Sequence, residues 1–240
     1  MPPPPARRLA VAAVEAVGDY TLLRLRDDGG DPGVPGQFFM LRADPAPAAA
    51  YLPRAVSPAW AGDGEIAFLL DVRGEGTRAL AAAAVVSVVG PLGHGFELAT
   101  GDAILVGGGI GAAILPWLRR RLDGAGSVQT VLGFRTPGQA VCAGLVDPDA
   151  TVVLEPVLVT EPLARLLPAP RATVYACGPD GMLQAVAALC AEHDVPCQLA
   201  MEAAMACGYG ACYGCAVRID GAWKRLCVEG PVLEAARVLA

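Results

Sequence analysis

Apolar residues along the chain fall into two textures. Over residues 7–98 they form short runs, "RLAVAAVEAVGDYTLLRLRDD" (8–28), "GQFFMLRA" (36–43), "EIAFLLDVRG" (65–74) and "VVSVVGPLG" (85–93). Gly, Pro and Asp clusters separate them at 27–36, 43–48 and 61–64. Short runs between turn signals predict several short strands, hence an antiparallel barrel or sandwich over residues 1–100.

From residue 101 strands alternate with helical patterns. "DAILVGGGIGAAILPWLRRRL" (102–122) reads as strand, Gly-rich turn and helix, and "SVQTVLGFR" (127–135) and "ATVVLEPVLV" (150–159) read as strands. "ATVYACGPDGMLQAVAALCAEH" (172–193) again reads as strand, turn and helix, and "VPCQLAM" (195–201) follows. This alternation predicts a doubly wound parallel-sheet nucleotide domain over 101–198. Residues 199–240 show little regular pattern and form a small C-terminal module.

Composition narrows the function. A hydrophobic fraction of 54% against 18% charged residues describes a folded, well-buried chain. The net charge of −6 disfavours nucleic acid and anionic membrane surfaces as partners, because both select basic faces. The opening "MPPPPARR" lacks the apolar core of a secretory signal and reads as a short extended tail. The most apolar stretch, 103–118, is interrupted by Gly107, Gly108, Gly109, Gly111 and Pro116, so no membrane span is expected and the location expected is cytoplasmic.

Of the eight cysteines, Cys142, Cys177, Cys190 and Cys197 are scattered in apolar surroundings and read as small core residues. The other four crowd into "MACGYGACYGC" (205–215) and Cys227. Their pattern is C-x4-C-x2-C-x11-C, from Cys207 through Cys212 and Cys215 to Cys227. The first three carry the plant-type ferredoxin spacing for a [2Fe–2S] cluster. Gly208, Gly210 and Gly214 would take positive φ and let backbone N–H groups approach the cluster sulfides. Structural zinc competes with this reading, but it prefers paired C-x2-C knuckles, which this pattern lacks.

Three further motifs suit nucleotides. Arg54-Ala55-Val56-Ser57 precedes Gly74-x-Gly76-Thr77, pairing a guanidinium for pyrophosphate with a Gly-Thr turn at a helix start. "LVGGGIGAA" (105–113) fits G-x-G-x-x-A through Gly107, Gly109 and Ala112, although no acidic residue follows about 20 positions on to hold a ribose. "YACGPDGML" (175–183) places Cys177-Gly178-Pro179 at a strand's carboxyl end, with Asp180 as a possible helix cap.

In order, "GPLGHGF" (90–96), "LVGGGIG", "YACGPDGML" and the tail "MEAAMACGYGACYGCAVRIDGAWKRLCVEGPVLEA" resemble the ferredoxin–NADP reductase superfamily. Within it the chain is similar to the iron–sulfur flavoprotein electron-transfer subunits of NAD-linked dihydroorotate dehydrogenases. The resemblance implies an FAD-binding barrel, a nucleotide domain and a [2Fe–2S] module. It implies FAD on Arg54, Ala55, Val56 and Ser57, with Leu69, Leu70 and Asp71 along the adenylate and Gly76 and Thr77 on the pyrophosphate. Gly107, Gly109 and Gly111 would serve the nucleotide, and Cys207, Cys212, Cys215 and Cys227 the cluster. It further implies NAD as substrate and an FMN-containing dihydroorotate dehydrogenase catalytic subunit as partner, in a heterotetramer of two of each chain. Electrons would pass from that FMN through the cluster to FAD and NAD, with Tyr209 and Tyr213 as candidate partner contacts.

Two departures stand out. Ala55 replaces a proline, and "TVVLEPVLVTEPLARLL" (151–167) lacks the family's Asp-Asp-Gly-Ser stretch, leaving Glu155 and Thr160 in the nicotinamide nucleotide region. Neither His94 nor His193 is placed for acid–base work, and His193 is expected to face solvent. A reductase of the same superfamily serving another redox complex, or a redox-binding module without NAD, remain as alternative readings.

Overall fold

A computed structural model describes residues 5–167 and 172–239; most of the proline run in the amino-terminal tail lies outside them. The amino-terminal strands are β1 (Arg7–Val17), β2 (Tyr20–Arg26), β3 (Phe38–Ala43), β4 (Arg54–Val56), β5 (Trp60–Gly62), β6 (Glu65–Leu70) and β7 (Val85–Leu92). They form one antiparallel sheet in the order β4-β3-β7-β1-β2-β6-β5. Three strands separate β3 from β6, which in a flat sheet would hold them roughly 19 Å apart. Instead Phe39 of β3 meets Phe68 of β6 edge-to-face with ring centroids 6.0 Å apart. The sheet therefore curls into a barrel around Leu23, Leu25, Leu41, Ile66 and Val88. Helix α1 (Glu75–Ala82) plugs one end through Leu80.

The second sheet is the α/β layer anticipated. It runs β10 (Thr151–Leu154), β9 (Val128–Phe134), β8 (Ala103–Gly108), β11 (Thr173–Cys177) and β12 (Cys197–Ala200), all parallel. The chain steps from β8 to β9 on one side and returns to β11 on the other, so the order reverses between β8 and β11. Crevices at such reversals, beyond the carboxyl ends of the strands, hold ligands in open α/β sheets. A 3-10 turn over Gly109–Ile114 leads into α2 (Leu115–Arg121). Two short helices, α3 (Pro137–Ala140) and α4 (Ala143–Val146), follow β9, and α5 (Thr160–Leu166) follows β10. Helix α6 (Asp180–Glu192) buries Leu183, Val186, Ala187 and Cys190, the spacing of one helical face.

Three expectations change in detail. The run 150–159 is strand only to Leu154, because Pro156 cannot donate to a ladder and α5 starts at Thr160. Asp180 is the first helical residue rather than a cap; Pro179 precedes the helix and no side chain caps it. Strand β12 runs two residues beyond 198, and after the hairpin β13 (Ala216–Ile219), β14 (Ala222–Arg225) and α7 (Leu226–Glu229) the tail returns to the same sheet. There β15 (Val232–Glu234) pairs antiparallel with β12, followed by α8 (Ala235–Leu239).

The scattered cysteines Cys142, Cys177, Cys190 and Cys197 are all buried, as a core reading requires. The connection between the sheets is pinned: Gln198 bonds both backbone groups of Glu97 at 2.9 and 2.8 Å, and Tyr175 Oη accepts from the Ala99 N–H at 2.8 Å. Among the described residues no helix is long and apolar enough to cross a membrane.

Candidate functional site

The cysteine loop lies between β12 and β13. Cys207 is half-buried and Cys212 exposed, while Cys215 and Cys227 are buried. The thiols lie close enough to influence one another, Cys207 beside Cys212 and Cys227 beside Cys215, with Cys207 also acting on Cys227. Backbone amides point at them: Gly214 N–H at 3.4 Å from Cys212 Sγ and Cys227 N–H at 3.5 Å from Cys215 Sγ. Gly208 and Gly210 hold φ of +81° and +87° as anticipated, and a Cβ at 208 would lie 2.6 Å from Met40 Cγ. Gly214 does not; the left-handed residue there is Tyr213, at φ +59°. Arg225 stabilises this turn, its guanidinium 4.7 Å from the Tyr213 ring centroid and Nη1 donating to the Gly210 carbonyl at 2.7 Å.

Burial raises the Cys207 thiol, but the amides of Cys212, Tyr209 and Ala211 with the Cys212 side chain outweigh it and bring it down to about 7. Burial and the neighbouring Cys215 push Cys227 up to about 12. Among the described residues no three His, Cys, Asp or Glu side chains close on a single-ion site. Four thiols at the C-x4-C-x2-C-x11-C spacing, with backbone amides directed at Cys212 and Cys215, fit a two-iron cluster.

A first cleft, of about 280 Å³, opens where the barrel meets the α/β sheet. Ala55, Val56, Ser57, Leu69, Leu70, Asp71 and Thr77 all line it. Arg54 and Gly76 are not in the lining themselves but adjoin Ala55 and Thr77, which are, and they pack so closely that any Cβ on Gly76 would run into the guanidinium. Thr77 Oγ1 donates to the Gly74 carbonyl at 3.1 Å, fixing the turn that opens α1 and presents its amides. A cradle of a guanidinium and a helix start beside an apolar slot fits a flavin dinucleotide.

The second cleft, of about 670 Å³, sits at the reversal between β8 and β11. Gly109 and Gly111 line it, and so do Glu155 and Thr160. Gly109 holds φ +54°. Gly111 permits a close approach: a Cβ there would stand 2.6 Å from Gly178 Cα and 2.7 Å from the Cys177 carbonyl oxygen. Gly107 is different, being buried in β8, where a Cβ would meet Leu132, Leu115 and Ala112 at 2.7–3.1 Å. Its role is packing, not ligand contact. Tyr20, also in this lining, stays a neutral phenol, since burial foremost pushes it up to about 12.

The two clefts share Asp71, Ile110, Gly111 and Glu202, so ligands in each would touch. Sequence reading missed Glu202. Crowding by protein holds its carboxyl above the usual range, with Asp180 adding to the effect. The only sequence signal was a lone carboxylate in the apolar approach to the cysteines. Cys177 lines the first cleft, not the second, and burial pushes its thiol well up. His94 and His193 are both exposed, and neither lines either cleft.

Residues 202–239 match the iron–sulfur cluster binding domain of dihydroorotate dehydrogenase B. An electron transfer subunit of dihydroorotate dehydrogenase B (NAD(+)) from Clostridium acetobutylicum is 35% identical over 213 residues, 82% of this chain and 83% of that one. One from Caldanaerobacter subterraneus is 32% identical over 223 residues, covering 85% and 87%. In fold, an NADH-dependent reduced ferredoxin-NADP oxidoreductase matches 96% of this chain and 89% of its own, with TM-score 0.80 and 24% identity. Phthalate dioxygenase reductase matches 89% and 86%, with TM-score 0.62 and 16% identity. A barrel, a switch-point sheet and a cysteine loop in one chain, shared with relatives along most of their length, have one explanation: the chain belongs to the family of dihydroorotate dehydrogenase B (NAD(+)) electron transfer subunits.

Proposed function

We propose that this chain carries electrons between a separate dihydroorotate dehydrogenase catalytic subunit and NAD, in the cytoplasm, through a [2Fe–2S] cluster and an FAD. The partner would hold FMN and assemble with it as a heterotetramer of two copies of each. In this reading residues 1–100 serve the flavin, 101–198 the nucleotide and 199–240 the cluster. Cys207 and Cys212 would hold one iron, Cys215 and Cys227 the other. Arg54 and the amides of the Gly76–Thr77 turn would take the flavin pyrophosphate, with Ala55, Val56 and Ser57 against the ring system and Leu69, Leu70 and Asp71 along the adenylate. Gly109 and Gly111 would take the nucleotide phosphates.

One observation carries this reading. Phe38 lines the flavin cleft and belongs to the same apolar cluster as Cys215 and Cys227, so one packed cluster runs from the cleft to the thiols. Met205 likewise lines the cleft and packs against that cluster. The flavin cleft in turn shares Gly111 and Glu202 with the nucleotide cleft. This packing supports the order cluster, flavin, nucleotide. A bound flavin exchanges hydride with nicotinamide and single electrons with an iron–sulfur centre, which is the conversion this order calls for. The chain's own residues bind, orient and exclude water; no side chain needs to act as a strong acid or base. Exposed Tyr209 and Tyr213 at the thiol loop suit contact with the partner.

The test is an anaerobic visible spectrum of the purified chain before and after adding NADH. Flavin and iron–sulfur absorbance that both bleach support the whole path. Absorbance that only dithionite removes would refute the nicotinamide step.

A further inference from the structure

We propose that Cys190 and Cys197 form an oxidative modification site, closing a reversible disulfide under hydrogen peroxide that ties the end of α6 to the start of β12. The inference does not depend on what either cleft binds. Of the four cysteines outside the thiol loop, Cys142 and Cys177 belong to one apolar cluster and Cys190 and Cys197 to another.

The backbone brings the second pair together. Cys190 lies on the buried face of α6, and that helix ends two residues later, at Glu192. The Val195 N–H bonds to the Cys190 carbonyl at 2.9 Å and Asp194 takes φ +54°, so the chain reverses tightly. The Pro196 carbonyl then accepts from the Val174 N–H at 2.8 Å, and Cys197 opens β12 opposite Val174 of β11. Across this reversal Cys197 Sγ donates to Cys190 Sγ. That bond holds the Cys190 thiol below its ordinary value in spite of burial, and together with burial it holds Cys197 well above. Cys142 has no such neighbour, and burial pushes it up to about 12. Both thiols of the pair are buried, but the turn that covers them is not: residues 191–194 and Pro196 are exposed. Fraying of the last helical turn admits a molecule as small as peroxide without opening the sheet.

The chemistry balances on these two sulfurs. Cys190 Sγ attacks one peroxide oxygen, the O–O bond breaks, and the departing hydroxide leaves as water with the Cys190 proton. Cys197 Sγ then attacks Cys190 Sγ, the S–S bond forms, the S–O bond breaks, and the oxygen leaves as a second water with the Cys197 proton. Each sulfur gives up one electron, and the peroxide is reduced to two waters. A dithiol reductant reverses the bond. The tie bears on the strand that the tail rejoins, since β12 carries β15 on its other edge and Gln198, next to Cys197, holds the backbone of Glu97.

The test treats the full chain, loaded with its cofactors, with hydrogen peroxide in molar excess. The protein is then alkylated under denaturing conditions and digested with trypsin and a glutamate-specific protease. Cuts after Arg171, Glu192 and Glu202 place Cys190 in peptide 172–192 and Cys197 in peptide 193–202. Mass spectrometry is expected to find the two peptides joined and two hydrogens lighter than their sum, with fragment ions placing the bond on Cys190 rather than Cys177. Dithiothreitol should separate them. Closing a loop of eight residues should also raise the melting temperature by about 5–10 °C. Cys190→Ala should abolish both the bond and the rise, whereas Cys142→Ala should keep both. Treated wild type in which Cys190 and Cys197 are both alkylated, or in which either is joined to another cysteine, overturns the proposal. So does a bond between them that leaves the melting temperature unchanged.

Discussion

Replacing Gly111 by alanine tests the joint on which both clefts depend. The added methyl would meet Gly178 Cα at 2.6 Å and the Cys177 carbonyl oxygen at 2.7 Å. Both are backbone atoms, at the last residue of β11 and the first of the loop after it, so relief cannot come from swinging a side chain. The two loops at the strand reversal have to part, or β8 and β11 have to shift in a register that pairs Cys177 with Gly107. Overpacking of this kind costs about 1–3 kcal/mol. In a chain of this length each kcal/mol moves the melting temperature by about 2–4 °C, which puts the expected loss at about 2–12 °C. The control is Gly144→Ala in α4, where a Cβ meets nothing within 4 Å. It should be neutral or raise stability by about 0.4–1 kcal/mol through a less free unfolded chain. Thermal melting followed by circular dichroism reads both, and flavin and NADH titrations read the clefts, each of which Gly111 lines. A G111A variant that melts with the wild type and binds both ligands unchanged would refute the claim that this contact sets the geometry.

Other outcomes follow from the same geometry. Arg54→Ala removes the guanidinium beside Gly76 and should weaken flavin binding by about tenfold to a hundredfold, read from flavin fluorescence released on dilution; retained flavin would sink the cradle assignment. Cys207→Ala or Cys227→Ala should strip iron, whereas Cys142→Ala should keep it and lose only core stability; iron assay of each variant decides. Asp147 is buried, and despite that burial its carboxyl is held below the usual range by Thr130, the Asp149 amide and Arg119. A depressed carboxyl stabilises the fold above its unfolded value, about 3.9, and loses that contribution as pH falls through its lowered folded value. Asp147→Asn should therefore cost about 1–3 kcal/mol at neutral pH, and the gap to wild type should shrink in acid; urea titrations at both pH values would refute this by showing a constant gap.

Much of this was legible because the chemistry is local in sequence. The C-x4-C-x2-C run brings its own thiols together, and the glycines at 208 and 210 carry the backbone angles expected of them. The Gly-rich turn after β8 and the Cys177-Gly178-Pro179 turn after β11 were both recognisable from a strand followed by a helix. What stayed hidden depended on where distant segments meet. Gly107 matches a nucleotide fingerprint, yet Leu115 and Leu132 close over it, which only the packed sheet reveals. Glu202 gains its importance from standing where two clefts join, and no periodicity encodes that. Strand β15 is three residues long, too short for any alternation to announce it, and its place is decided by the free flank of β12. The strand read through Val159 failed for a nearer reason: one proline outweighed a row of β-branched neighbours.

The pairing of β12 with β15 makes the thiol loop an insertion clasped at its base. Residues 201–231 leave and re-enter one sheet at adjacent positions, with Met201 N–H bonded to the Pro231 carbonyl at 3.0 Å where the ends meet. Such a segment can open as a cooperative unit of its own while the ladder below it stays closed. Oxygen damage that destroys an iron–sulfur centre would then loosen the clasped segment before the strands beneath it, and because Glu202 and Met205 of that segment line the flavin cleft, the hold on the flavin would weaken along with the wire to the partner. The same clasp covers the edge of β12 that would otherwise offer itself to a neighbouring chain, so damage need not turn into aggregation.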